Sequence, residues 1–164
     1  MTFVIAGAKS SAVNPEDAVR TAAEWGASHG AEIGLLDARS VFGRDHLESA
    51  AVHAIRARDS KTMSSRSLAM ETLLYASSQR QVQDAIRAVG LRRDTTTVGI
   101  VLFGYANVDE FLRDMGWSRD DDVLNAAGKD LEAFGISRRE AETVATTHRA
   151  DLALEKVALL DVQK

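Results

Sequence analysis

Four histidines, three consecutive aspartates and a Gly-Ala-Lys-Ser segment are the residues whose types offer chemistry in this chain. His46 and His53 stand on one face of a single helical pattern. Their spacing corresponds to about 10.5 Å of helical rise, too far for both to ligate one zinc ion, and neither sits in an HExxH arrangement. The run Gly7-Ala8-Lys9-Ser10 follows an apolar stretch as a phosphate-binding loop would, but Ala8 stands where the second glycine of GxxxxGK[ST] belongs. We read it as an N-terminal turn. Asp120, Asp121 and Asp122 fit a helix start, because acids there complement the helix dipole and consecutive side chains point apart. Ser77 and Ser78 have no nearby base with an orienting carboxylate. The expectation is a chain without catalytic residues, metal or cofactor.

The elements that position these residues follow from periodicity. Three helical patterns occupy residues 44–90. From Asp45 to Arg58, Leu47, Ala50, Ala51 and Ala54 recur on one face, and the alanines allow close backbone approach, which predicts a central helix. From Met63 to Ala76, Ala69, Met70, Leu73 and Leu74 face inward, with Leu68, Glu71 and Tyr75 on a flanking side. Ser78 and Gln81 fit a capping box for a third helix, whose stripe is Val82, Ala85, Ile86 and Val89 and whose left-handed stop is Gly90.

Around this block, Thr2 to Ala8, Glu32 to Ala38 and Thr95 to Phe103 read as strands, the last buried on both faces at its end, with Gly99 marking a bulge or a close approach. Asn14, Pro15, Glu16 and Asp17 start a helix that runs to Gly30. Asn107 and Glu110 cap a short helix ending near Gly116. Ser118 with the three aspartates opens another that stops at Gly135, and Ser137 with Glu140 caps a last helical region that breaks near Thr146 and Thr147 and resumes through Val162. The fold class is α+β: a single compact domain over residues 1–164, with a small, mostly antiparallel or mixed sheet of about three to four strands and about eight helices.

The C-terminal segment ADLALEKVALLDV carries two apolar arcs, Ala153, Val157 and Leu160 on one and Leu152 and Leu159 on the other, separated by Glu155 and Lys156. Two arcs exceed what a surface helix needs, so this helix is either fully enclosed in its own core or packs its core on one side and a protein partner on the other.

Composition sets further bounds. A chain of 164 residues that is 45% apolar fits one core. Without cysteine there is no disulfide or thiolate metal site, and the apolar start is too short for a signal or membrane segment, so a soluble, cytoplasmic protein is expected. Net charge is −4, yet residues 39–93 hold ten basic against five acidic residues, leaving ten against nineteen elsewhere. A +5 middle within a −9 remainder can steer an anionic partner to one face.

The run HLESAAVHAIRA, then SLAMETLLYASSQRQVQDAIRAVGL, the strand-like TTTVGIVLFG and ALEKVALLDV resemble the kinase-associated subunit of the KEOPS complex, the PRPK-binding protein family of archaea and eukaryotes. The resemblance spans most of residues 31–162 and rests most on the alanine helix begun by His46, with Glu71, Tyr75, Arg80 and Gln81 at fixed offsets. It implies a non-catalytic subunit that binds the small atypical kinase of KEOPS and brings tRNA, through its 3′ CCA end, to the formation of threonylcarbamoyladenosine beside the anticodon. No membrane and no DNA are expected among its partners.

The candidate tRNA contacts are Arg44, His46, Lys61, Arg66, Tyr75, Arg80 and Gln81, on a surface where the three central helices meet. The candidate kinase interface is Leu152, Leu154, Leu159 and Leu160. A competing reading is a small-molecule-binding or enzymatic domain with a cleft around His46, Glu71 and Tyr75, which a closed pocket and a carboxylate of raised pKa would favour. A third is a scaffold for the kinase in which the arginines play no part.

Overall fold

The apolar residues of the three long strands alternate between two faces, and helices cover both. The computed structural model describes residues 1–145 and 148–163. Strands β1 (Phe3–Lys9), β2 (Glu32–Asp37), β3 (Thr97–Phe103) and β4 (Ser118–Arg119) form one sheet in the order β2-β3-β1-β4, with every neighbouring pair antiparallel. Ala6, Ala8, Ile100 and Leu102 face helices α1 (Pro15–His29) and α5 (Val108–Met115). Ile5, Leu36, Val101 and Phe103 face α2 (Arg44–Asp59), α3 (Leu68–Ser77), α4 (Val82–Val89) and the last helix, α7 (Arg149–Gln163). Strand β3 is therefore apolar at successive positions, as residues enclosed on both sides must be. A third cluster joins Phe42, Ile136 and Ala153 near α6 (Arg138–Glu142). The α+β expectation holds.

Several local signals act as read. The Asn14 side chain accepts from Asp17 N, Asn107 from Asp109 N and Glu110 N, and Ser137 from Glu140 N, while Gly30, Gly116 and Gly135 take left-handed conformations. Gly99 marks a close approach without a bulge: its register with Gly7 and Leu36 is regular, and a Cβ there would lie 3.2 Å from Leu47 Cδ1.

Other expectations are corrected. Residues 63–67 are a loop, because Ser67 caps α3 by accepting from Met70 N and Glu71 reaches back to the amides of Ser64 and Ser65. Ser78 is the left-handed end of α3 rather than a cap for α4, whose N-cap Gln81 makes no side-chain capping bond. Gly90 has an extended backbone, and what demands glycine is space, since a Cβ would meet Ile86 O at 2.5 Å. Helix α3, buried at every position from Glu71 to Ser77, is the enclosed helix, whereas α2 keeps one side in solvent. Gly7 to Lys9 belong to β1 and make no turn.

Residues 118–135 form β4 and two 3-10 turns instead of one helix. They cross the outer edge of β1, where Asp120 N donates to Gly7 O (2.9 Å) and Gly7 N donates to the Asp121 carboxylate (2.9 Å). The expected break at Thr146 and Thr147 lies outside the described residues. No helix among the described residues is long and apolar enough to cross a membrane.

Candidate functional site

His46 shows what kind of centre the three middle helices enclose. Its ring is fully buried; Phe42 N–H donates to Nδ1 (3.0 Å) and Nε2–H donates to Ala76 O (2.8 Å), which fixes the neutral tautomer. Burial, reinforced by the nearby Lys129 ammonium, pushes its pKa down to about 4 against the opposing effect of the Ala76 bond. The imidazole ties the start of α2 to the end of α3. Lys129 is a second internal tie: Nζ donates to Val41 O (2.6 Å) and Val123 O (2.7 Å), and burial lowers its pKa to about 8.

Glu71, also fully buried, accepts from Ser64 N (3.1 Å), Ser65 N (2.9 Å) and Ser65 Oγ (2.8 Å), so it shapes the loop between α2 and α3. Tyr75 is buried and donates its hydroxyl to Asp161 (2.5 Å), whose other oxygen accepts from His53 Nδ1–H (2.5 Å). Burial first, then the Asp161 bond, raise the Tyr75 phenol above its ordinary pKa. His46, Glu71 and Tyr75 therefore belong to the packed interior and line no cleft. This corrects both the cleft reading and the assignment of His46 and Tyr75 as base-stacking contacts, because a side chain without exposed surface offers no face to a nucleotide. Among the described residues, no group of three or more His, Asp and Glu could hold a metal ion.

The basic candidates are exposed but are not brought together. Lys61 and Arg66 lie in the loop between α2 and α3, at the far end of α3 from Arg80 and Gln81, a helix length of about 15 Å away. Arg44, at the start of α2, spends one N–H on Ile5 O (3.0 Å) and so covers the edge of β1. Arg80 donates to Gln163 O (3.1 Å) at the end of α7. The surface where three helices meet thus divides, and the denser part is the loop.

Arg56 and Arg58, which the sequence reading did not single out, adjoin Lys61 and Arg66; with Asp59 they make four cations against one anion, a formal +3 over residues 56–67. Arg56, Lys61 and Arg66 form no ion pair among the described residues. Lys61 also has φ +59°, a left-handed backbone unusual for a residue with a Cβ. The ordering of basic residues just past a helix end was a legible signal, but Arg56 and Arg58 read equally well as a solvated helix face.

Helix α7 runs beside α2 and α3, held by the His53–Asp161–Tyr75 bonds and by Ser78 Oγ–H donating to Lys156 O (2.9 Å). Its arc Ala153, Val157 and Leu160 is fully buried, as both alternatives required, and the exposure of Leu159 excludes the fully enclosed helix. Leu160 is thereby removed from the candidate interface, and Leu152, packed against the Phe42 cluster, is mostly committed to the core. Leu154 is half-buried, Leu159 is 43% exposed, and Val162, one turn on, is 82% exposed. Val162 was missed although its spacing from Leu159 places it on the same side.

Residues 13–132 match the sequence model of a family described as kinase binding protein CGI-121. The chain belongs to this family. The CGI-121 match takes in α1, β2, the three middle helices and β3, and leaves outside it β1 and α7, both of which pack on those middle helices. The C-terminal block of the resemblance, ALEKVALLDV, lies beyond the matched residues. No curated protein matches the chain.

Proposed function

We propose that this chain is a non-catalytic subunit of the KEOPS complex that docks the small atypical kinase and recruits tRNA by its 3′ CCA end for threonylcarbamoyladenosine formation. The observation that carries the reading is membership of a kinase-binding family over residues 13–132. Its kinase-facing residues are Leu159 and Val162, with Leu154 at the rim, because these are the apolar groups α7 leaves in solvent. Its RNA-facing residues are Lys61 and Arg66 together with Arg56, and Arg80, Gln81 and Arg44 serve as outlying phosphate contacts. In this reading the protein works in the cytoplasm and acts on no substrate by itself; the buried His46, Glu71, Thr72 and Ser77 spend their hydrogen bonds inside the fold.

The test is a pair of measurements on the purified chain. Co-purification with the KEOPS kinase is expected, and a titration should show weaker binding of a tRNA lacking CCA than of the intact tRNA. Equal affinity for both RNAs would rule out recognition of the 3′ end, and loss of the kinase on a sizing column would remove the docking role.

A further inference from the structure

The loop that joins α2 to α3 reads Ser60-Lys61-Thr62-Met63-Ser64-Ser65-Arg66-Ser67, five hydroxyls among two cations with no regular structure. Most of these hydroxyls are engaged. Thr62 Oγ1–H donates to Ala57 O, Ser65 Oγ–H bonds Ser67 O and Glu71, and Ser67 Oγ accepts from Met70 N as the cap of α3. Ser60 and Ser64 are exposed, and their hydroxyls bond to nothing among the described residues. Ser60 sits at the C-terminal end of α2, where the negative pole of the helix disfavours added negative charge. Ser64 has no such penalty and lies between Lys61 and Arg66, with its amide anchored to Glu71 so that the hydroxyl is held outward on an ordered turn.

We propose that Ser64 is a phosphoryl acceptor for the kinase that this chain binds, and that the phosphoserine switches off the hold of the basic loop on RNA. In the transfer, Ser64 Oγ attacks the γ-phosphorus of magnesium-bound ATP, the bond from that phosphorus to the β,γ-bridging oxygen breaks with ADP as leaving group, and the hydroxyl proton passes to the catalytic base of the kinase. The loop is tied to the helix that carries the proposed kinase face: Asp161 of α7 is bonded to His53 of α2, and from His53 the helix rises about 9 Å to its end at Asp59, where the loop begins.

The phosphate adds about −1.5 to −2 of charge, which cuts the formal +3 of residues 56–67 to about +1. It also sets a like charge beside the Glu71 carboxylate that organises the loop.

The proposal rests on the kinase and RNA readings above, and the experiment separates their failures. The full chain is incubated with the KEOPS kinase and magnesium-ATP, binding is followed by co-purification, and phosphate is mapped by mass spectrometry. Phosphate at Ser64, abolished by Ser64→Ala while that variant still co-purifies, is the expected result. A kinase that binds the chain and phosphorylates casein but leaves Ser64 unlabelled, or labels Ser60 instead, overturns the proposal and leaves docking intact. Absence of both binding and label overturns both. In a tRNA titration at about 0.1 M salt, the phosphorylated chain should bind about 10-fold more weakly with a shallower salt dependence. Unchanged affinity would remove the switch.

Discussion

His46 carries the strongest consequence at the scale of a residue. Its unfolded pKa of 6.5 falls to about 4 in the folded chain because burial disfavours the cation. Between those values the unfolded state takes up a proton that the folded state does not. Stability therefore falls as pH drops from 6.5 toward 4, by up to about 3 kcal/mol in all. Urea unfolding at pH 7.5 and pH 5 measures this, and His46→Leu should flatten the acid limb. The same change should lower stability at pH 7.5 by about 2–4 kcal/mol, because Phe42 N–H and Ala76 O lose their buried partner. Substitution at Lys61 should change stability in the opposite direction, through the backbone. A left-handed lysine costs on the order of 1 kcal/mol that a glycine does not pay, so Lys61→Gly should raise stability by about that amount. The variant should also bind tRNA more weakly. A gain in one measurement with a loss in the other is what a strained binding residue gives; equal RNA affinity would leave the lysine as a mere solvated side chain.

Adjacent residues of α7 make the sharpest comparison between elements. Leu160 is fully buried against α2 and α3, and Leu159 is 43% exposed. Leu160→Glu places an unpaired carboxylate in the core and should unfold the chain or leave α7 undocked, read by circular dichroism. Leu159→Glu should leave the spectrum and the melting temperature close to the original while weakening kinase binding by more than about 2 kcal/mol, roughly 30-fold. Unaltered kinase affinity would move the interface off α7. The buried arc of this helix was legible from spacing alone, as were α1, α5 and the three long strands, because apolar periodicity and caps such as Asn14 and Asn107 act within one element. What sequence could not give were outcomes decided by a partner far along the chain. The amides of Ser64 and Ser65 bond to Glu71 and not to a preceding turn, so the expected start of α3 is a loop. Residues 118–124 are drawn onto the edge of β1 by Gly7, so the aspartates there, capped by Asp120, open only a short 3-10 turn and no long helix. At the site, exposure of the cations was readable, whereas the enclosure of His46, Glu71 and Tyr75 depended on α3 being covered on all sides.

For the whole molecule, the uneven charge determines how a chain of net charge −4 can hold RNA. Much of the basic excess in the middle is neutralised locally: Arg39 is paired with Asp37 and Asp94, Arg58 with Asp59 and Arg87 with Asp84. The cations of this stretch without an ion pair among the described residues are Arg44, Arg56, Lys61, Arg66, Arg80, Arg92 and Arg93, and Arg56, Lys61 and Arg66 of these lie in or beside the loop between α2 and α3. Contact with three or four phosphates of a single strand gives a logarithmic salt slope of about −2 to −3. A titration of intact tRNA from about 50 to 200 mM salt should therefore lose roughly 20- to 60-fold in affinity. Reversing Lys61 and Arg66 together to glutamate should flatten the slope by about 1–2 and weaken binding at low salt. The same reversal at Arg138 and Arg139, exposed on α6 in the acidic remainder, conserves the change in net charge while leaving the loop intact. If RNA were held only by the diffuse field of the molecule, both double variants would lose affinity alike, since each removes the same total charge. A loop that contacts phosphates directly requires the first pair to fail and the second to bind nearly as the original does, and that inequality is the measurement that decides between steering and contact.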